Sequence, residues 1–121
     1  WADNFINIIS QSKIGLNLSQ GKAAKYYSSD RFAQLIGNGL LVMIDEKTKF
    51  GDFFHRDEII LYKNENDLSK KIEYYSNNDK ERMKIAKNGR DKYFKYFNST
   101  AVADFIIKKA FSEKHKKFYW E

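Results

Sequence analysis

The side chains best suited to chemistry are crowded into one stretch, "SSDRFAQLIGNGLLVMID", which runs from Ser28 to Asp45. Ser28, Ser29, Asp30 and Arg31 stand together where a short apolar helical pattern begins. A helix N-terminus presents N–H groups without intrahelical partners and the positive end of the helix dipole. Two hydroxyls and a guanidinium at that point add donors for an anion such as a phosphate. The same residues also suit plain punctuation, with Ser29 capping the helix and Arg31 pairing with an acid. Gln34 lies one turn beyond Asp30 on the same helical face; its amide can hydrogen-bond a ribose or face water. Ser19, Gly21 and Lys22 lie in the preceding loop, where they could also approach a phosphate. His55 and His115 are far apart and neither has a partner at metal-ligand spacing, so no metal site is expected. Nothing like G-x-S-x-G, G-x-x-x-x-G-K-[ST] or G-x-G-x-x-G occurs, and residue types alone reveal no catalytic centre.

The elements that position these residues follow from hydrophobic periodicity. Residues 3–11 read as a helix with Phe5, Ile8 and Ile9 on one face. Alternation of Ile14, Leu16 and Leu18 predicts a strand over 13–18. After a loop, Phe32, Leu35 and Ile36 share one face of a short helix, with Gly37 and Gly39 available to end it. "LLVMID" is an uninterrupted apolar run, as in a strand covered on both faces. A loop or short helical turn leads to a third strand over 58–62. Three helices follow. Leu68, Ile72 and Tyr75 mark the first; Met83, Ala86, Tyr93 and Phe97 mark the second, which starts at a capping-box-like Asn78/Glu81 pair. The third is capped near Ser99, with Val102, Phe105, Ile106 and Ala110 facing the core and Ile107 and Phe111 widening that face. Strands joined through helices imply a parallel sheet with right-handed crossovers. The expected fold is α/β: a Rossmann-like three-layer αβα arrangement with about three short parallel strands and a helix-rich C-terminus. Ligands of such sheets bind beyond the C-terminal ends of the strands. The loops "NLSQGKAAKYYSSDR", "DEKTKFGDF" and "YKNEND" fall there.

A chain of 121 residues suits one domain spanning 1–121. With no cysteine, disulfide scaffolds and thiolate metal sites are excluded. No apolar run is long enough to span a bilayer and no signal peptide is visible, so a cytoplasmic location is expected. The net charge of +6 is uneven: residues 61–121 hold fifteen Lys/Arg against nine Asp/Glu, while residues 1–60 are balanced. Lys108, Lys109, Lys114, Lys116 and Lys117 concentrate the excess, which could serve nucleic acid, a peripheral membrane contact or simply solvation.

The ordered motifs resemble the C-terminal, donor-binding half of a GT-B glycosyltransferase. The most similar pattern is "R-x-F-E-A-L-A-C-G-A-L-L-L-T" of the group 1 glycosyltransferases related to the spore maturation protein CgeB, matched here by "RFAQLIGNGLLVMI". Downstream, "IILYKNENDLSKKIEYY" and "ERMKIAKNGR" resemble that family's later segments. The resemblance covers residues 14–107. It implies a nucleotide-diphosphate sugar as donor substrate, with no cofactor and metal-independent transfer. By the same resemblance Ser28, Ser29, Asp30 and Arg31 lie beside the donor diphosphate, and Gln34 takes the place of a Glu that contacts the donor ribose. Asn38 replaces the Cys of the pattern, and Tyr26 stands where the family's other paired Glu would fall. The expected partners are a nucleotide sugar and an N-terminal domain of the same protein preceding Trp1. The edge of the first strand is expected to be covered by the N-terminal helix or by a second copy of the chain. Gln34 in place of Glu motivates one alternative, a non-catalytic interaction domain on the same fold. Anion or nucleic-acid binding through the basic C-terminal helix is another.

Overall fold

The computed structural model describes residues 2–19, 21–112 and 114–121. Chain order is α1 (Ala2–Gln11), β1 (Ile14–Asn17), α2 (Arg31–Gly37), β2 (Leu41–Asp45), two 3-10 turns (Glu46–Thr48 and Phe50–Asp52), β3 (Ile60–Tyr62), α3 (Glu65–Asn77), α4 (Asp79–Tyr96) and α5 (Ser99–Ala110). The strands form a parallel sheet in the order β1-β2-β3. Ile14 to Asn17 lie opposite Leu41 to Ile44, and Met43 to Asp45 lie opposite Ile60 to Tyr62. This is the Rossmann-like α/β arrangement that the alternation of strands and helices implies.

Strand side chains alternate between faces, so the continuous apolar run of β2 demands cover on both. Val42 and Ile44 pack with Phe32, Leu35 and Ile36 of α2 and with Phe50 and Phe54. Leu41 and Met43 pack on the other face with Ile60, Tyr62, Ile85 and Ala86, bordered by Leu68, Ile72 and Tyr75 of α3. Phe32 anchors an aromatic cluster, with ring centroids 5.0 Å from Phe50 and 5.5 Å from Phe54. Ile9 of α1 packs against this first cluster, whereas Ile8, expected on the same face, is exposed. β1 is an edge strand of the described sheet.

Helix ends show where tertiary contacts redirect local signals. Asp30, not Ser29, caps α2, its carboxylate accepting from the Arg31 N–H at 3.1 Å. Gly37 lies inside that helix; only Gly39 takes the left-handed conformation (φ 79°) that turns the chain into β2. Asn78 forms no side-chain cap on α4, because its amide donates to the Tyr74 carbonyl and closes α3, while Glu81 accepts from the Tyr74 hydroxyl. Asn98, one residue before Ser99, caps α5.

α4 is the helix that ties the layers together. Its buried residues are Arg82, Ile85, Ala86, Gly89 and Lys92, so the expected stripe is rotated and Met83 is exposed. Tyr93 and Phe97 do reach the first cluster. Gly89 sits against the backbone just before β3, where an added Cβ would overlap the Glu58 carbonyl oxygen. Beside it Lys92 donates to Glu58 at 2.7 Å, a pair largely withdrawn from water. Burial draws the Lys92 ammonium toward neutrality, but Glu58 and Tyr119 outweigh it and hold the pKa above the ordinary lysine value.

α5 departs furthest from expectation. No residue of it is buried, and Val102, Ile106, Ile107 and Phe111 are exposed. Its Phe105 ring meets Phe118 and Trp120 at 5.4 and 5.6 Å, and Lys108 lies over the Phe118 ring. The helix stops at Ala110. The closing segment folds back as an aromatic strap, with Tyr119 stacked on Tyr96 at 4.5 Å. Glu121 fastens it through Lys109 at 2.7 Å, the Phe118 N–H at 2.9 Å and His115 at 3.2 Å. No helix among the described residues is long and apolar enough to cross a membrane.

Two outcomes follow from this packing. Gly89→Ala is expected to lose about 1–3 kcal/mol despite the better helix propensity of Ala, because helix and loop must part. Urea unfolding measures it; a variant as stable as the parent would contradict the close approach. Lys109, then the Phe118 N–H, lowers the Glu121 carboxyl pKa from 4.5 to about 2. A depressed folded-state pKa stabilises above the unfolded value and is lost as pH falls through the folded one. In a Trp1→Phe chain, Trp120 fluorescence should therefore change between pH 4.5 and about 2, and Glu121→Gln should remove that transition.

Candidate functional site

The three strands deliver their carboxyl ends to one side of the sheet, at Asn17, Asp45 and Tyr62. A crevice of about 670 Å³ opens there. Leu18, Ser19, Gly21 and Ala23 line it after β1, Asp45 and Lys47 after β2, and Tyr62, Lys63 and Asn64 after β3. This is where open parallel sheets bind ligands.

Each wall is held by local chemistry. Asp45 caps the 3-10 turn that follows it, accepting from the Lys47 N–H at 2.8 Å, while Thr48 donates its hydroxyl to the Asp45 carbonyl at 2.6 Å. These two bonds tie the end of β2 to the turn that follows it. Asn64 caps α3 by accepting from the Asp67 N–H at 2.9 Å. Asp67 returns to accept from the Lys63 N–H at 2.9 Å and from Lys71 at 2.7 Å. Lys71, through that hydrogen bond, and the Lys63 N–H hold the Asp67 carboxyl below the ordinary range. Lys71 also donates to the Leu61 carbonyl at 2.8 Å and so ties α3 to β3. The first N–H groups of α3, at Glu65 and Asn66, have no carbonyl partner within the helix. Those two residues also line the crevice. Tyr62 is buried, and burial, reinforced by the Asp45 charge, pushes its phenol above the ordinary tyrosine pKa.

Ser19 and Gly21 thus line the crevice as a loop of the site, while Lys22 is exposed and does not line it. Ser28, Ser29, Asp30, Arg31 and Gln34 lie outside the lining, on the α2 side of the sheet. Ser28 is half-buried and Gln34 is exposed, its backbone carbonyl accepting from Asn38. Arg31 comes nearest: its guanidinium donates to the Leu18 carbonyl at 3.4 Å and to the Ser29 hydroxyl at 3.3 Å. Leu18 is shared by this contact and the crevice wall. The hydroxyl of Ser29 turns inward to Asn17 at 2.7 Å instead of capping the helix.

Asp45 and Lys47 fall in the "DEKTKFGDF" loop, and Tyr62, Lys63 and Asn64 in "YKNEND" within the family-like "IILYKNENDLSKKIEYY" segment, but none of the five was named as a ligand-binding residue. Their signal was topological, since they stand where the second and third strands end. The basic tail is less available than its composition suggests. Lys108 pairs with Asp104 at 2.6 Å and Lys109 with Glu121, and Lys114, Lys116 and Lys117 lie beyond the end of α5.

A family model described as glycosyl transferase-like matches residues 1–108. No curated protein and no solved structure matches the chain.

The coupling of Tyr62 to Asp45 has a measurable consequence. Asp45→Asn should lower the Tyr62 pKa while leaving it above the ordinary tyrosine value, because burial remains. NMR titration of isotopically labelled tyrosine follows that shift; an unmoved Tyr62 would show that burial acts alone.

Proposed function

This chain belongs to the glycosyl transferase-like family, and we propose that it is the donor-binding part of a GT-B enzyme of the CgeB-like group. In this reading it binds a nucleotide-diphosphate sugar, from which the full-length protein transfers the sugar to an acceptor. The observation that carries the proposal is the crevice at the carboxyl ends of the three parallel strands, in a chain matched by this family over residues 1–108.

The chemistry of the crevice suits such a ligand. Lys47 and Lys63 on its walls and Arg31 beside Leu18 supply cations for a diphosphate. The start of α3 adds N–H groups and the positive end of a thirteen-residue helix. Asp45 and Glu65 offer carboxylates that can accept from ribose or sugar hydroxyls. During transfer, charge builds on the leaving diphosphate, and fixed cations and N–H groups stabilise it more than they stabilise the bound donor. The role for Arg31 is this electrostatic one. Gln34, exposed on α2, would reach a ribose as a neutral amide, a weaker partner than the carboxylate of the family pattern.

Calorimetric titration of the full-length protein with UDP, GDP and their sugars tests the proposal. Micromolar-range binding of at least one is expected, with Arg31→Ala weakening it about tenfold, the worth of one charge-assisted contact. Absence of binding to all of them, or an Arg31→Ala variant that binds as well as the parent, would overturn the site.

A further inference from the structure

Asn17 is out of character for its position. It ends β1 with 1% exposure, beside Ile44 in the register and on the face that α2 covers. Gly15, two residues earlier on the same face, approaches the Leu35 side chain. An apolar side chain would satisfy such a place, as Val42 and Ile44 do on the neighbouring strand. Asn17 instead buries an amide of which one half is used. Its Oδ1 accepts from the Ser29 hydroxyl at 2.7 Å, whereas its Nδ2 has no hydrogen-bond partner. A buried donor left unpaired destabilises the fold.

The retained half of the amide leads directly to Arg31. Ser29 donates to Asn17 and so directs its oxygen lone pairs away from β1, where the Arg31 Nε–H reaches them at 3.3 Å. The same guanidinium is held at its other end by the Leu18 carbonyl, the next residue after Asn17. Arg31 is exposed and bears a long, flexible side chain, which these two contacts pin against the strand end. Order of this kind is lost entropy that a ligand need not supply.

We propose that Asn17 is a positioning residue: through Ser29 it fixes the Arg31 guanidinium at the end of β1, beside the crevice, and it is kept there at a cost in stability. The relay runs from a buried strand residue, through one hydroxyl, to an exposed cation. It deepens the donor-site reading above and rests on it, because the purpose of an ordered Arg31 is to meet the diphosphate of a nucleotide donor.

The test combines stability, affinity and a direct view of Arg31 in the full-length protein. Asn17→Leu keeps the branching and the number of heavy atoms, though it is bulkier, and removes both halves of the amide; Asn17→Val is the second, smaller variant, suited to a strand. At least one should melt at or above the wild-type temperature, since the unpaired donor is gone. Both should bind UDP or GDP, whichever the wild type binds, about three- to tenfold more weakly, and the Arg31 Nε–H should lose its protection from exchange with water. Ser29→Ala should weaken binding to a similar degree, and the double variant Asn17→Leu/Ser29→Ala should be no worse than the weaker single one. Wild type that binds while the Asn17 variants bind equally well overturns the relay alone. So do strictly additive losses, an Arg31 signal unchanged by Asn17→Leu, or failure of both apolar variants to fold. A wild-type protein that binds neither UDP nor GDP removes the donor site and the relay with it.

Discussion

The hydrophobic core of this molecule is arranged around the need to bury both faces of one strand, β2. Leu41, Val42, Met43 and Ile44 are almost wholly removed from solvent. A strand so placed cannot be served by one layer of helix. α2 and the Phe50–Phe54 turn cover one face; α3 and the first half of α4 cover the other. α4 must also come close enough to the β3 approach for Gly89 to be the fitting residue, and there the Lys92–Glu58 pair is enclosed. Breaking such a pair by removing one partner leaves a buried charge uncompensated, so the surrounding loop and helix are held in a single arrangement.

The same constraint makes the candidate site. Three parallel strands under two helical layers bring their carboxyl ends together, and the chain must leave each end through a polar turn. Asp45 and Asn64 are cap residues that organise those turns. Their position also puts carboxylate, amide, lysine and helix N–H groups around one crevice. At these residues structural need coincides with the chemistry that the proposed donor would require. Asn17 is where they part, since its buried amide serves Ser29 and Arg31 rather than the core.

Much of the fold was readable in the residues. β2 was marked by its uninterrupted apolar run, β3 by "IILY", and α3 by Leu68, Ile72 and Tyr75, because burial leaves a direct trace in side-chain type. What could not be read is what covers what. The apolar face of α5 has good periodicity, yet periodicity records an apolar stripe and not the presence of a neighbour to pack on it. Met83 and Ile8 failed for the same reason. Capping differed where a side chain had another partner: Asp30 caps α2 because the Ser29 hydroxyl turns to Asn17, and Asn78 keeps the N-cap position of α4 but gives its amide to the Tyr74 carbonyl. For the site, the motif pointed to Ser28 to Arg31, which lie outside the crevice lining on the α2 side, whereas the crevice draws on the loop after β1 and on the ends of β2 and β3, whose residues were placed only as parts of loops and of a longer segment. Only the parallel topology gathers them.

The central claim is that a nucleoside diphosphate group binds at the carboxyl ends of β1, β2 and β3. Backbone amide NMR of the full chain titrated with UDP and with GDP addresses it residue by residue. The account predicts saturable shifts, for at least one of the two, clustered at Ser19, Gly21, Asp45, Lys63 and Asn64, with Arg31 at the margin. Shifts confined to the lysine-rich segment after α5, or no shifts at millimolar nucleotide, would contradict it.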